Sequence, residues 1–202
     1  MRRSILFAAV LLLVAAVQAQ VVSIYATSSS ARFSNVQTGT SLTPSGYQNQ
    51  YTNFWKTGIG GGVTFNILPV GPIRLGLDLR GSTRQGTVGA DTAMAGLKVG
   101  FHPPVIPIKP YLQASGGYVA TRTVNVSTGA TPNSTFNNQY AAWEILGGVD
   151  FPIVPFLDVR VVEVGGGTGY GFGTYSLGTG FIGGTRPTIS IFTVNSGLVL
   201  HF

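Results

Sequence analysis

The chain holds few groups able to do chemistry, and their spacing narrows what that chemistry is. His102 and His201 are its only imidazoles, and there is no cysteine. Disulfides and a lipid-bearing cysteine are therefore excluded. An imidazole pair without acids at ligand spacing makes a poor metal site. Gly178-Thr179-Gly180-Phe181-Ile182-Gly183 matches the dinucleotide fingerprint in letters only, because no βαβ unit surrounds it and Arg186-Pro187 follows where a helix should start. What remains is a set of charges placed at alternate positions: Lys56, Arg74, Asp78, Arg80, Lys98, Glu144, Asp150, Asp158 and Arg160. Both signs occur, and they nearly balance. A buried charge without a partner is costly, so on one shared interior face these groups should pair. Asp78 with Lys98, and Glu144 with Arg160, are the expected pairs, each joining adjacent segments at similar depth. No catalytic, cofactor-binding or metal-binding residue emerges.

The elements that carry these charges have period two, the strand repeat. Trp55, Thr57, Ile59, Gly61, Val63 and Phe65 share one side of a segment whose other side holds Lys56, Gly58, Gly60 and Gly62. Ile73, Leu75, Leu77 and Leu79 oppose Arg74, Gly76, Asp78 and Arg80. Ala93 to Phe101 sets Leu97 and Val99 against Gly96, Lys98 and Gly100. Leu112, Ala114, Gly116, Tyr118 and Ala120 oppose Gln113, Ser115 and Gly117. Trp143, Ile145, Val149 and Phe151 oppose Glu144 and Asp150, and Leu157, Val159 and Val161 oppose Asp158 and Arg160. Glu163 falls out of phase, which predicts a bulge or the upper rim there. Gln20 to Phe33 alternates poorly and is the least regular segment. In the last segment Phe202, Leu200, Leu198, Ser196, Val194 and Phe192 share a side.

Two kinds of connector separate the segments. Leu68 to Pro72, Pro103 to Pro107 and Pro152 to Pro155 are short and Pro-rich, and Pro punctuates strands. Ser34 to Asn53, Thr83 to Thr92, Thr123 to Gln139 and Gly165 to Pro187 are polar and longer, and are expected to be loops. The count is eight strands in an up-and-down meander. Phe54, Trp55, Phe65, Phe101, Tyr111, Trp143, Phe151, Phe156 and Phe202 lie near segment ends, where two membrane interfaces would place aromatic girdles.

Composition agrees with such a fold. Only 9% of residues are charged against about 25% in soluble domains, 29 are Gly and mean hydropathy is +0.32. Past the leader no apolar run reaches the length of a spanning helix. Arg2 and Arg3, the apolar Ile5 to Val17 and the small residue ending Val17-Gln18-Ala19 predict a cleaved signal peptide over residues 1–19, leaving residues 20–202 as one domain. Without Arg2 and Arg3 the charge falls from +6 to +4, with 10 bases against 6 acids. The bases are scattered, so no nucleic-acid surface is expected.

With its leader, strand rhythm and terminal Leu198-Val199-Leu200-His201-Phe202, the chain resembles the small eight-stranded outer-membrane β-barrels of the outer-membrane protein A and X type. Gly147 to Pro152 through Phe156 to Arg160 looks like a hairpin of that family. The resemblance implies an all-β, eight-stranded antiparallel up-and-down transmembrane β-barrel in the bacterial outer membrane, with apolar faces outward. It implies lipid, the barrel-insertion machinery and periplasmic chaperones as partners. It also implies that Phe202, Leu200 and Leu198 act as the assembly signal. No peptidoglycan-binding domain follows Phe202, so attachment to the wall by that route is not expected. Some barrels of this size are lipid-modifying enzymes that place His, Ser and an acid near the outer leaflet. Here both histidines fall at the turn ends of downgoing strands. The glycosylation patterns at Asn125 and Asn133 carry no weight on a bacterial export route. The expected role is a non-enzymatic envelope protein or presenter of surface loops; the alternatives are a ligand-binding adhesin, a lipid-modifying enzyme or a narrow channel. A soluble eight-stranded barrel with its apolar face inward is the architectural rival.

Overall fold

The structure, a computed structural model, describes residues 22–43, 46–103, 106–125, 134–172 and 188–202. The expected signal peptide lies outside them. Eight antiparallel strands close into a barrel in chain order: β1 (Val22–Thr43), β2 (Gly46–Val70), β3 (Ile73–Arg84), β4 (Val88–Phe101), β5 (Lys109–Asn125), β6 (Ser134–Val154), β7 (Leu157–Gly171) and β8 (Thr188–His201). β1 meets β8 from Ser23↔His201 to Ser34↔Ser190, which removes the free edges an open sheet would leave.

The apolar faces point outward. Ile59 is 70% exposed and Leu97 63%, while Asp78 and Arg160 are each 1% exposed. Charges inside and aliphatics outside invert the arrangement of a soluble barrel. The poor alternation of β1 has a local reason. Its inward file, Ser23, Tyr25, Thr27, Ser29, Ala31 and Phe33, contains aromatics, and its outward file contains Ala26 and Ser28.

Several expected loops are strand instead. Ser34 to Asn53 continues β1 and β2 as a paired hairpin as far as Thr43↔Gly46. Thr83 to Thr92 shrinks to a turn between Arg84 and Val88, with Gly86 at φ 137°. Gly165 to Gly171 belongs to β7, where a side chain on Gly167 would overlap the Trp143 carbonyl. Part of Thr123 to Gln139 is strand too, since β5 runs to Asn125 and β6 starts at Ser134. Polar composition marks where the chain leaves an apolar solvent, and backbone pairing continues past that level. Gly178 to Gly183 lies outside the described residues.

Most of the expected girdle aromatics are exposed, but Phe54 and Tyr111 are not among them. Phe54 stacks on Phe33 inside the barrel at 5.3 Å, and Tyr111 is 7% exposed in the lumen. Both sit on the inward parity of their strands. Away from the start of β1 and the end of β8, the lumen holds an apolar cluster that includes Phe33, Val36, Met94, Val119, Tyr140 and Ile191.

Candidate functional site

Below that cluster the lumen is packed with charge, and strand parity explains how. Asp78 and Arg80 project inward from β3, Lys98 from β4, Gln113 from β5, Glu144 and Asp150 from β6, and Asp158 and Arg160 from β7. Parity alone would turn Glu163 toward lipid. A bulge corrects it: Arg160 pairs with Gly197 and Glu163 with Asn195, so β7 spends one extra residue. Val161 and Val162 both face outward and Glu163 returns to the interior at 1% exposure.

Glu163 is the hub of the network. Arg80 grips it with two nitrogens, Nη1 to Oε1 at 2.9 Å and Nη2 to Oε2 at 3.1 Å. Tyr111 donates its hydroxyl at 2.5 Å, Asn195 its amide at 2.7 Å and Arg160 its Nη1 at 3.3 Å. Asp78 accepts from Thr64 at 2.6 Å, Gln113 at 2.8 Å, Tyr25 at 2.9 Å and Arg80 at 3.0 Å. Asp150 accepts from Arg160 Nε at 2.9 Å and Nη2 at 3.3 Å, with Lys98 Nζ at 3.6 Å. The Arg160 guanidinium lies between two rings, 4.5 Å from the Tyr25 centroid and 4.9 Å from that of Tyr111. The rings need room, and Gly62 and Gly148 provide it, since a Cβ at either would overlap the Tyr25 or Tyr111 ring. A bidentate charge pair with its remaining lone pairs satisfied is the geometry in which buried ions offset their desolvation.

The expected pairs do not form. In the β3–β4 register Asp78 stands opposite Gly96 and Lys98 opposite Gly76, so Lys98 lies nearer the chain ends and reaches Asp150 instead. Arg160 stands opposite Asp150, whereas Glu144 stands opposite Gly167, further toward the other end. Glu144 instead accepts a short hydrogen bond from Thr193, and nearby Arg84 donates to Ser29 at 2.6 Å and Ser82 at 2.9 Å. Lys56 is outside the network. The β2–β3 ladder starts only at Ile59↔Thr83, and the Lys56 ammonium lies against the Gly86 turn. Arg74 lines the mouth where β1 starts and β8 ends. Glu163, Tyr25, Tyr111 and Gln113 were missed as network members. Gln113 and Tyr111 share the inward parity of β5, which was the available signal, and Glu163 was visible only as a break in phase.

A second cluster closes that mouth. Ser23 hydrogen-bonds His201 Nδ1 at 2.8 Å, and His201 Nε2 lies 2.8 Å from Asp158 Oδ2. Lys109 reaches both Asp158 oxygens, at 2.7 and 3.0 Å. The residue types are those of a hydrolytic triad, but an ammonium already neutralises the carboxylate that would stabilise an imidazolium. The cluster instead joins β1, β8, β7 and β5 at the closing seam.

No family model and no curated protein sequence matches the chain. Similar solved structures include Neisserial surface protein A, with 16% identity, TM-score 0.46 and coverage of 89% of this chain and 97% of that one. The N-terminal β-barrel domain of Pseudomonas aeruginosa OprF has 12% identity, TM-score 0.47 and coverage of 89% and 97%. The attachment invasion locus protein Ail of Yersinia pestis, solved with the heparin analogue sucrose octasulfate, has 10% identity, TM-score 0.43 and coverage of 90% and 99%.

Proposed function

We propose that the chain is a bacterial outer-membrane barrel whose lumen is a solid plug, with an architectural or loop-presenting role rather than a catalytic or conducting one. The plug carries the reading: Arg80 and Arg160 converge on Glu163 from different walls, and Asp78, Gln113, Tyr25 and Tyr111 join them across the lumen. Eight strands enclose an interior that side chains alone can fill.

The exterior supports a membrane setting. From Ile73 to Gly81, at roughly 3.3 Å per residue and a tilt near 40°, the apolar face stands about 20–23 Å tall, close to the ≈25 Å band of such barrels. It ends where Asp91 and Arg122 pair outside the barrel at 3.3 Å. Trp55 and Phe192 meet near that level at 6.1 Å between centroids, while Phe101, Phe151, Phe156 and Phe202 are exposed toward the other end. Lipid, the insertion machinery and periplasmic chaperones are the partners this reading needs.

Planar-bilayer recording tests the plug. The refolded protein should show no steady conductance, and a large, stable current would overturn the reading. Fractionation tests the setting, since the protein should sediment with outer membranes and resist carbonate.

A further inference from the structure

The mouth where β1 starts and β8 ends contains a small cavity of about 30 Å³, bordered on its inner side by Lys98, Tyr111 and Asp150 of the network. One water needs at least roughly 10–15 Å³ on this measure, so the space suits a group displacing two or three waters. Arg74, Lys98 and Lys109 line it from three consecutive strands, with His102 from the β4–β5 turn and His201 from β8. Both carboxylates lining it already have partners: Arg160 takes Asp150 through two nitrogens, and Lys109 with His201, themselves in the lining, takes Asp158. Lys98 is left with donors to spare. Its ammonium stands 3.6 Å from Asp150 and 3.8 Å above the Tyr111 ring, and it makes no hydrogen bond among the described residues.

We propose that this cavity is a binding site for a small tetrahedral oxyanion of the phosphate class, held by Lys98 and Arg74 with His102 at its rim. Independent support comes from His102, which lies outside the strands and packs near Arg74, Lys109, Lys98 and Asp158. Burial, together with the field of those three cations, pushes its imidazole down to about 4. Its buried Nδ1 has no hydrogen-bond partner. Burial is the larger cause of this neutral ring, but the three cations add to it, and a phosphate bound among them would oppose their share of the field. The phosphate could be free or the headgroup of a lipid at the rim; the chemistry is shared.

The test uses the full chain refolded in an uncharged glycoside detergent, with both imidazoles followed by NMR. Inorganic phosphate should raise the His102 midpoint by about one unit, equivalent to tenfold tighter binding to the protonated ring. Arg122→Gln, at the opposite end, should leave that rise intact, while Lys98→Met should abolish it. Should Lys98→Met not reach the folded, heat-modifiable form, Arg74→Gln serves as the second variant. A short-chain phosphatidic acid acting at lower concentration than inorganic phosphate assigns the site to a headgroup, and the reverse order assigns it to free phosphate. A His102 midpoint unmoved by either probe, or a rise undiminished in the folded cavity variant, overturns the proposal.

Discussion

Arg80 and Glu163 are 83 residues apart in the chain and meet inside the barrel through two parallel hydrogen bonds of 2.9 and 3.1 Å. Arg80 also donates to Asp78 at 3.0 Å and to Gln113 at 2.8 Å, so it holds two acids and an amide together. Removing one partner of a buried pair typically costs about 3–5 kcal/mol, because the other charge stays buried. Arg80→Met and Glu163→Gln should each lower the unfolding free energy of the refolded protein, extrapolated from urea titration, by that order. The double variant should lose less than the sum of the two, and additive losses would refute the coupling.

Strand number and order were legible because period two repeats in nearly every segment, as in Ile73 to Leu79. Periodicity did not say which face turns outward, and that expectation came from the resemblance carried by the leader and the terminal segment. The partners inside the lumen were not. Alternation says which side chains face inward, but partners across a barrel depend on register and shear, which the sequence pattern does not encode. Asp78 and Lys98 share a face, yet the ladder separates them. Glu163 shows the other limit, since one extra residue at Val161–Val162 restores to the interior a side chain that parity assigns to lipid. Phe54 and Tyr111 lie near segment ends as girdle aromatics do, but they share the inward parity of Lys56 and Gln113, and parity decides their side.

At the seam, the Phe202 amide donates to the Val22 carbonyl at 2.9 Å, while the residue is 66% exposed. A charge at this level costs only about 0–1 kcal/mol on the lipid side. If Phe202 is the assembly signal, Phe202→Asp or its deletion should deplete folded protein in the membrane far more than that cost allows, with unfolded chain passing to proteases. Quantifying the heat-modifiable form in outer-membrane fractions checks this. Normal levels of the truncated protein would remove the signal role.

The imidazole of His102 is held down to about 4 from an ordinary 6.5, by burial first and by Arg74, Lys109 and Lys98 next. The unfolded chain therefore binds more protons than the folded one between these values. Stability should rise with pH across that window and fall as pH drops from 6.5 toward 4. His102→Gln should flatten this part of the profile. Urea unfolding at a series of pH values decides it, and an unchanged slope in the variant would assign the dependence to other groups.

Gly148 faces the Tyr111 ring, and a methyl group there would overlap the ring and its hydroxyl. The ring cannot easily yield. Its hydroxyl donates to Glu163 at 2.5 Å, and cations occupy its surroundings, with Lys98 at 3.8 Å and Arg160 at 4.9 Å from the centroid. Overpacking of a filled interior costs about 1–3 kcal/mol, so Gly148→Ala should fall in that range. Tyr111→Ala carries its own loss, because it leaves a cavity and removes a donor from Glu163. With the ring gone, however, the three nearest atoms that the methyl would strike are gone too. The Gly148→Ala, Tyr111→Ala double variant should therefore be no less stable in urea than Tyr111→Ala alone. A further drop from the methyl in that background would show that the glycine is required for some reason other than the ring.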